Sequence, residues 1–172
     1  MNRFLAFACL LAGIVFGGQA DAASQTRAKF GDWSVECEAV QKQGQPAGEK
    51  CFASHTSILE KNSERGLLMK FSMGYIGPQD EMSVVTILPL GMDLTVGAVI
   101  MLDSGKPIML NLRQCVSTGC VASVQPSPEQ LKSLAEARVI NVRVVPYGNS
   151  KILEMPVPAN GLRQAIESLK NE

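Results

Sequence analysis

The chain predicts a mainly β, sandwich-like single domain with two short helices and two local disulfides, and three observations lead there. Short apolar or alternating runs, several rich in β-branched residues, recur between turns built from Gly, Pro, Asn, Asp and Ser. Helix-start signals occur at only two places, both late in the chain. Of five cysteines, four stand beyond the N-terminal leader, and an even set in an exported chain reads as disulfide-bonded.

The leader comes first. Residues 1–22, MNRFLAFACLLAGIVFGGQADA, hold one Arg, an apolar run from Phe4 to Phe16 and the small-x-small ending Ala20-Asp21-Ala22. That is the pattern of an export signal cleaved after Ala22. The run falls short of the ~20 residues that span a bilayer, and no later segment is apolar over such a length, so no transmembrane segment is expected after cleavage. Cys9 lies inside the run, whereas an acylated cysteine follows it. Residues 23–172 remain as one periplasmic domain, long enough to bury a self-sufficient core.

Lys29–Glu38 alternates, with Trp33, Val35 and Cys37 on one face and Ser34, Glu36 and Glu38 on the other, and reads as a half-buried strand. Gln41–Gly48 is a polar loop with Pro and Gly, and strand composition resumes at Cys51 through Leu59, so the first two strands suit a hairpin. Glu60–Gly66 reads as a turn, Leu67–Ile76 as a strand, Gly77–Glu81 as a second turn and Met82–Leu90 as a β-branched strand. Ala98–Asp103, the turn Asp103–Gly105 and Pro107–Leu112 continue the rhythm up to Cys115-x4-Cys120 and the strand Val121–Val124. Then Ser127-Pro128-Glu129-Gln130 combines an N-cap, Pro at the first helical position and Gln at the third, starting a helix to about Ala137. Strands over Arg138–Pro146 and Lys151–Val157 follow, with a turn between them. A terminal helix capped by Asn160 aligns Leu162, Ile166 and Leu169 on one face.

Composition narrows function. The chain balances 16 basic against 16 acidic side chains, and cleavage removes one of each, Arg3 and Asp21. Without a concentrated basic surface, nucleic acid is not an expected partner. A serine hydrolase would have to use His55, the one histidine, with a serine that no Gly-x-Ser-x-Gly elbow nominates. Glu36 and Glu38 share a strand face about 7 Å apart, a spacing within reach of glycoside chemistry, but that face is the polar one, where carboxylates are solvated. Asp80-Glu81 sits in a turn for the same reason. No phosphate-cradling loop or EF-hand array is present. Cys37, Cys51, Cys115 and Cys120 lack the tight C-x-x-C knuckle of zinc or thioredoxin sites. Catalytic, cofactor-binding and metal residues are therefore all expected to be none. Locality favours Cys37 with Cys51 and Cys115 with Cys120 among the three possible pairings, worth roughly 3 and 2 kcal/mol by loop closure.

Phe30-Gly31-Asp32-Trp33 with Cys37-Glu38, Leu88-Pro89-Leu90-Gly91, Asp103-x-Gly105, Cys115-x4-Cys120 with Gly119-Cys120-Val121-Ala122, and Pro156-Val157 with Gly161 and Ala165 occur in that order. Together they resemble the invasion-associated locus B family of Gram-negative bacteria, over nearly all of the chain after the leader. Pro158 and Leu162 stand where the family pattern has Ser and Phe. The resemblance implies an exported β-sandwich-like protein of the periplasm or cell envelope, with a founding member linked to entry into host cells, and it carries over no catalytic residue. The expectation is a nonenzymatic envelope protein that binds an unidentified protein or cell-wall partner and contributes to host-cell interaction. The alternatives are a periplasmic inhibitor of an envelope-attacking enzyme, which a rigid disulfide-pinned domain suits, and an envelope hydrolase using His55.

Overall fold

The structure, a computed structural model, describes residues 24–40, 48–61, 64–77 and 80–171. The expected export signal and most of the loop expected over Gln41–Gly48 lie outside them. Among the described residues ten strands run in the order β1 (Gln25–Phe30), β2 (Trp33–Val40), β3 (Gly48–Lys61), β4 (Glu64–Gly74), β5 (Ser83–Leu88), β6 (Ala98–Leu102), β7 (Ile108–Val116), β8 (Gly119–Val124), β9 (Ile140–Val144) and β10 (Leu153–Val157). Helix α1 (Pro128–Glu136) lies between β8 and β9, and α2 (Leu162–Ser168) closes the chain through a 3-10 turn at Leu169–Asn171.

The strands form one antiparallel ladder in the order β1-β2-β3-β4-β5-β8-β7-β6-β9-β10. Alternation places one side of each central strand in a shared interior. Trp33, Val35, Phe71, Val84, Ile100 and Val142, taken from five strands, are each no more than 1 % exposed and belong to a single core cluster. A ladder that long can bury one face in one core only by folding back on itself, which makes the architecture sandwich-like. Helix α2 packs on β1, β2 and β3, burying Leu162 and Ala165. Helix α1 begins as its sequence dictates: the Gln130 N–H donates to Ser127 Oγ at 3.2 Å and the Ser127 N–H to Gln130 Oε1 at 2.8 Å.

Both disulfides bridge residues directly opposite in neighbouring strands, Cys37 with Cys51 across β2–β3 and Cys115 with Cys120 across β7–β8. Gly119 precedes the second pair's Cys120 because β8 enters against β5: a Cβ there would stand 2.5 Å from the Leu88 carbonyl oxygen. Cys115 belongs to β7, which runs four residues past the expected end at Leu112 and bulges between Leu112 and Gln114.

Several boundaries differ from expectation, each for a local reason. The strand expected over Lys29–Glu38 is interrupted at Gly31-Asp32, where Gly31 takes φ +55° and turns the chain, so β1 and β2 form a separate hairpin. The turn expected over Glu60–Gly66 is largely strand, because β3 and β4 pair on through Lys61 and Glu64 beyond the reach of β2 and β5. Asn160 does not cap α2. The cap position falls to Gly161 at φ +90°, with no side-chain cap bond.

Candidate functional site

The two ends of the ladder meet at a seam. The Asp32 N–H donates to the Asn160 carbonyl at 3.2 Å, and Asn160 Nδ2 donates to Asp32 Oδ2 at 3.2 Å. The Trp33 indole N–H donates to the Pro158 carbonyl at 2.8 Å, so the buried ring keeps its one polar atom satisfied. Gly161 approaches so closely that a Cβ would lie 1.8 Å from the Phe30 carbonyl oxygen, and one on Gly31 would lie 2.6 Å from Asn160 Nδ2. No side chain fits at either place. The Phe30–Trp33 and Pro156–Ala165 motifs are thus two halves of one closure.

Other motif residues have comparable partners. Asp103 holds the segment before β9 at both atoms, its N–H donating to the Val139 carbonyl at 3.1 Å and its Oδ1 accepting from the Arg138 N–H at 3.2 Å. The Gly91 carbonyl accepts from the Tyr147 N–H at 2.8 Å, beside a bridge between Met92 and Pro146. Most of the motif set therefore shapes the fold.

His55 lies at the seam. Its Nδ1 is 2.8 Å from the Asp32 carbonyl oxygen and its ring sits 6.0 Å from that of Trp33. A carbonyl can only accept, so this nitrogen carries the proton. Among the described residues His55 is hydrogen-bonded to no serine hydroxyl and no carboxylate, and the partner of its Nδ1 is a backbone oxygen. Ser57 stands two residues along the same strand, about 7 Å on by strand rise, and no hydrogen bond joins it to His55. His55 and Ser57 instead form one wall of a groove of about 430 Å³ whose other wall is Arg138–Asn141 and Pro156–Ala159.

Glu36 departs from the solvated setting expected of its strand face. Its side chain is only 14 % exposed and pairs with Lys70 Nζ at 2.8 Å. Ser54 Oγ and Ser24 Oγ also donate to it. Burial pushes this carboxyl up, but the Lys70 and Ser54 bonds, the Lys70 charge and Ser24 outweigh it and hold the group below the ordinary glutamate range. Lys70 also sits 5.3 Å from the centre of the Phe52 ring. The Glu36 carboxylate is thus the counter-ion of Lys70 on a largely covered face. Cys37, Glu49 and Cys51 come within 4.8 Å of one another, but the two sulfurs are bonded to each other, which removes the thiolates a metal would need.

A second depression, an apolar cleft of about 330 Å³, lies over β6, β7 and β9. Val96, Met109 and Ile152 border it and are 54 %, 58 % and 58 % exposed. Arg143 lies at its edge, paired with Glu154 at 2.7 Å.

The described residues thus build a disulfide-stapled antiparallel, sandwich-like domain closed by a terminal seam, with surface depressions at the seam and over β6, β7 and β9. The sequence model of the family described as "Invasion associated locus B (IalB) protein" matches residues 33–170. The chain belongs to that invasion-associated family. It is 24 % identical over 148 residues to the invasion protein B homologue of Brucella abortus (strain 2308), covering 86 % of this chain and 81 % of that protein. The homologue from Brucella abortus biovar 1 (strain 9-941) matches to the same extent. The crystal structure of invasion associated protein B from Bartonella henselae superposes with a TM-score of 0.65 at 18 % identity, over 87 % of this chain and 96 % of that one, and so shares the fold. No helix among the described residues is long and apolar enough to cross a membrane.

Local sequence could not reveal the groove, because His55 and Arg138 come together only through the ladder's closure. The apolar cleft had a weak signal: Met109 stands at the outward parity of a strand whose inward residues are Ile108 and Leu110.

Proposed function

We propose that this protein is exported to the periplasm, with cleavage after Ala22, and acts there or at the cell surface as a nonenzymatic binder of a protein or cell-wall partner, contributing to host-cell interaction. The observation that carries this reading is the apolar cleft. Three large apolar side chains, each more than half exposed, border one depression on a covalently pinned sheet. Contiguous exposed apolar surface of this kind marks interaction sites, and a rigid scaffold lowers the entropic cost of using it. Family membership and the names of the Brucella and Bartonella relatives support the link to invasion.

The test is crosslinking capture from envelope and host-membrane extracts, using wild type and a Met109→Glu/Ile152→Glu variant of unchanged melting temperature. Recovery of one same partner by wild type and its loss in the variant are expected. Recovery of no partner at any crosslinker reach, or equal recovery by both, would overturn the proposal.

A further inference from the structure

The groove at the seam carries a separate chemistry. Its polar side chains are His55, Ser57, Arg138 and Asn141, and among the described residues no Asp or Glu lines it. The two nearby aspartates are turned to other work, Asp103 Oδ1 on the Arg138 N–H and Asp32 Oδ2 on Asn160. Among the described residues the Arg138 guanidinium has no carboxylate within ion-pair distance, and Ser57 Oγ and the Asn141 amide have no protein hydrogen-bond partner. The groove therefore offers donors around a positive charge. With Nδ1 committed to Asp32 O, the neutral His55 ring keeps its other nitrogen as an acceptor. Val139, Pro156 and Pro158 supply apolar surface between them.

Donors for an anion, an acceptor for an N–H and apolar walls are the complement of a short peptide bearing a carboxylate. We infer that this groove binds a peptide carboxylate: Arg138, with Ser57 and Asn141, takes the carboxylate oxygens, His55 accepts a peptide N–H, and the two prolines bed the adjoining side chain. The backbone around the site is fixed before any ligand arrives. Trp33 and Asp32 hold His55, Asp103 holds the Arg138 segment, and Asn141 sits within β9. Binding therefore needs little rearrangement.

The carboxylate has two sources, a chain end or an acidic side chain, and the experiment separates them. The ¹⁵N-labelled protein, recovered after export with its disulfides intact, is titrated with N-acetyl-Ala-Ala, with its C-terminal amide, and with N-acetyl-Glu-Ala-amide. N-acetyl-Ala-Ala is expected to shift the backbone signals of residues 55–57 and 138–141 saturably, with a dissociation constant on the order of 1 mM. Its amide should bind at least about tenfold more weakly. Arg138→Gln should cost about tenfold through loss of the charge-assisted pair, while Arg163→Gln on α2 binds as wild type. Binding by the glutamyl amide as well would assign the site to carboxylates from either source; its failure would restrict the site to chain ends. Equal binding of the amidated dipeptide, equal binding by Arg138→Gln, or no saturable shift at ten times the expected constant would overturn the inference. Capture through the apolar cleft is independent of either result.

Discussion

Replacing Gly161 by Ala tests the seam directly. The added Cβ would meet the Phe30 carbonyl oxygen at 1.8 Å and its carbon at 2.4 Å, where ordinary contact begins at 3.4 Å. The segment from Pro158 to Gly161 must retreat by roughly 1.5 Å to relieve that overlap. Retreat breaks the Asp32 to Asn160 bond, worth about 1 kcal/mol net, and strands the buried Trp33 indole N–H, which costs about 1–3 kcal/mol. Alanine at φ +90° adds about 1–2 kcal/mol of backbone cost. The total is about 3–6 kcal/mol, a large part of the 5–15 kcal/mol typical of a domain. Gly91→Ala is the control, since Gly91 also has a left-handed φ, +81°, but nothing lies within 4 Å of its Cβ. Only the backbone cost of about 1–2 kcal/mol applies there. Urea unfolding of both variants, oxidised and at neutral pH, gives the comparison. A Gly161→Ala loss at least about 2 kcal/mol greater than that of Gly91→Ala is expected. Equal losses would refute the interlocked seam.

Further outcomes follow from other contacts. Lys70→Met leaves Glu36 largely buried without its cation and should destabilise by about 1–3 kcal/mol, measured by urea unfolding at neutral pH. Because the folded-state pKa of Glu36 is depressed, its contribution is present above the unfolded-state value and is lost as pH falls through the folded one. Glu36→Gln should therefore flatten the acid limb of the stability profile, and an unchanged limb would contradict the assignment. Nonreduced peptide mapping should recover Cys37 linked to Cys51 and Cys115 linked to Cys120, and loss of the first link alone should lower stability by roughly 3 kcal/mol. Ser127→Ala removes the α1 cap and should cost about 1 kcal/mol by thermal unfolding, with little change at the groove.

What sequence made legible was local. Alternation at Trp33, Val35 and Cys37, the capping box at Ser127 and Gln130, and the short spacing of Cys115 and Cys120 each need only neighbouring residues, and each corresponds to an observed contact. Non-local facts were hidden. Glu36 looked solvated because its partner Lys70 arrives only through the pairing of β2, β3 and β4. Asn160 read as a helix cap because Asn before a helical periodicity commonly is one. Its side chain and carbonyl serve the β1–β2 turn instead, from the other end of the chain. The break at Gly31 belongs to the same contact. A glycine between Phe30 and Asp32 looks like a minor turn until Gly161 is seen against it, and the groove beside His55 follows from that closure.

Complementation offers the most direct measurement of the central claim, that the protein works by binding through its exposed apolar cleft. A deletion strain carrying wild type or the Met109→Glu/Ile152→Glu variant, at equal envelope abundance and equal melting temperature, is scored for envelope stress and for host-cell entry. Wild type should restore the phenotype that the deletion causes, and the variant should fail to do so. Full restoration by the variant would contradict the account.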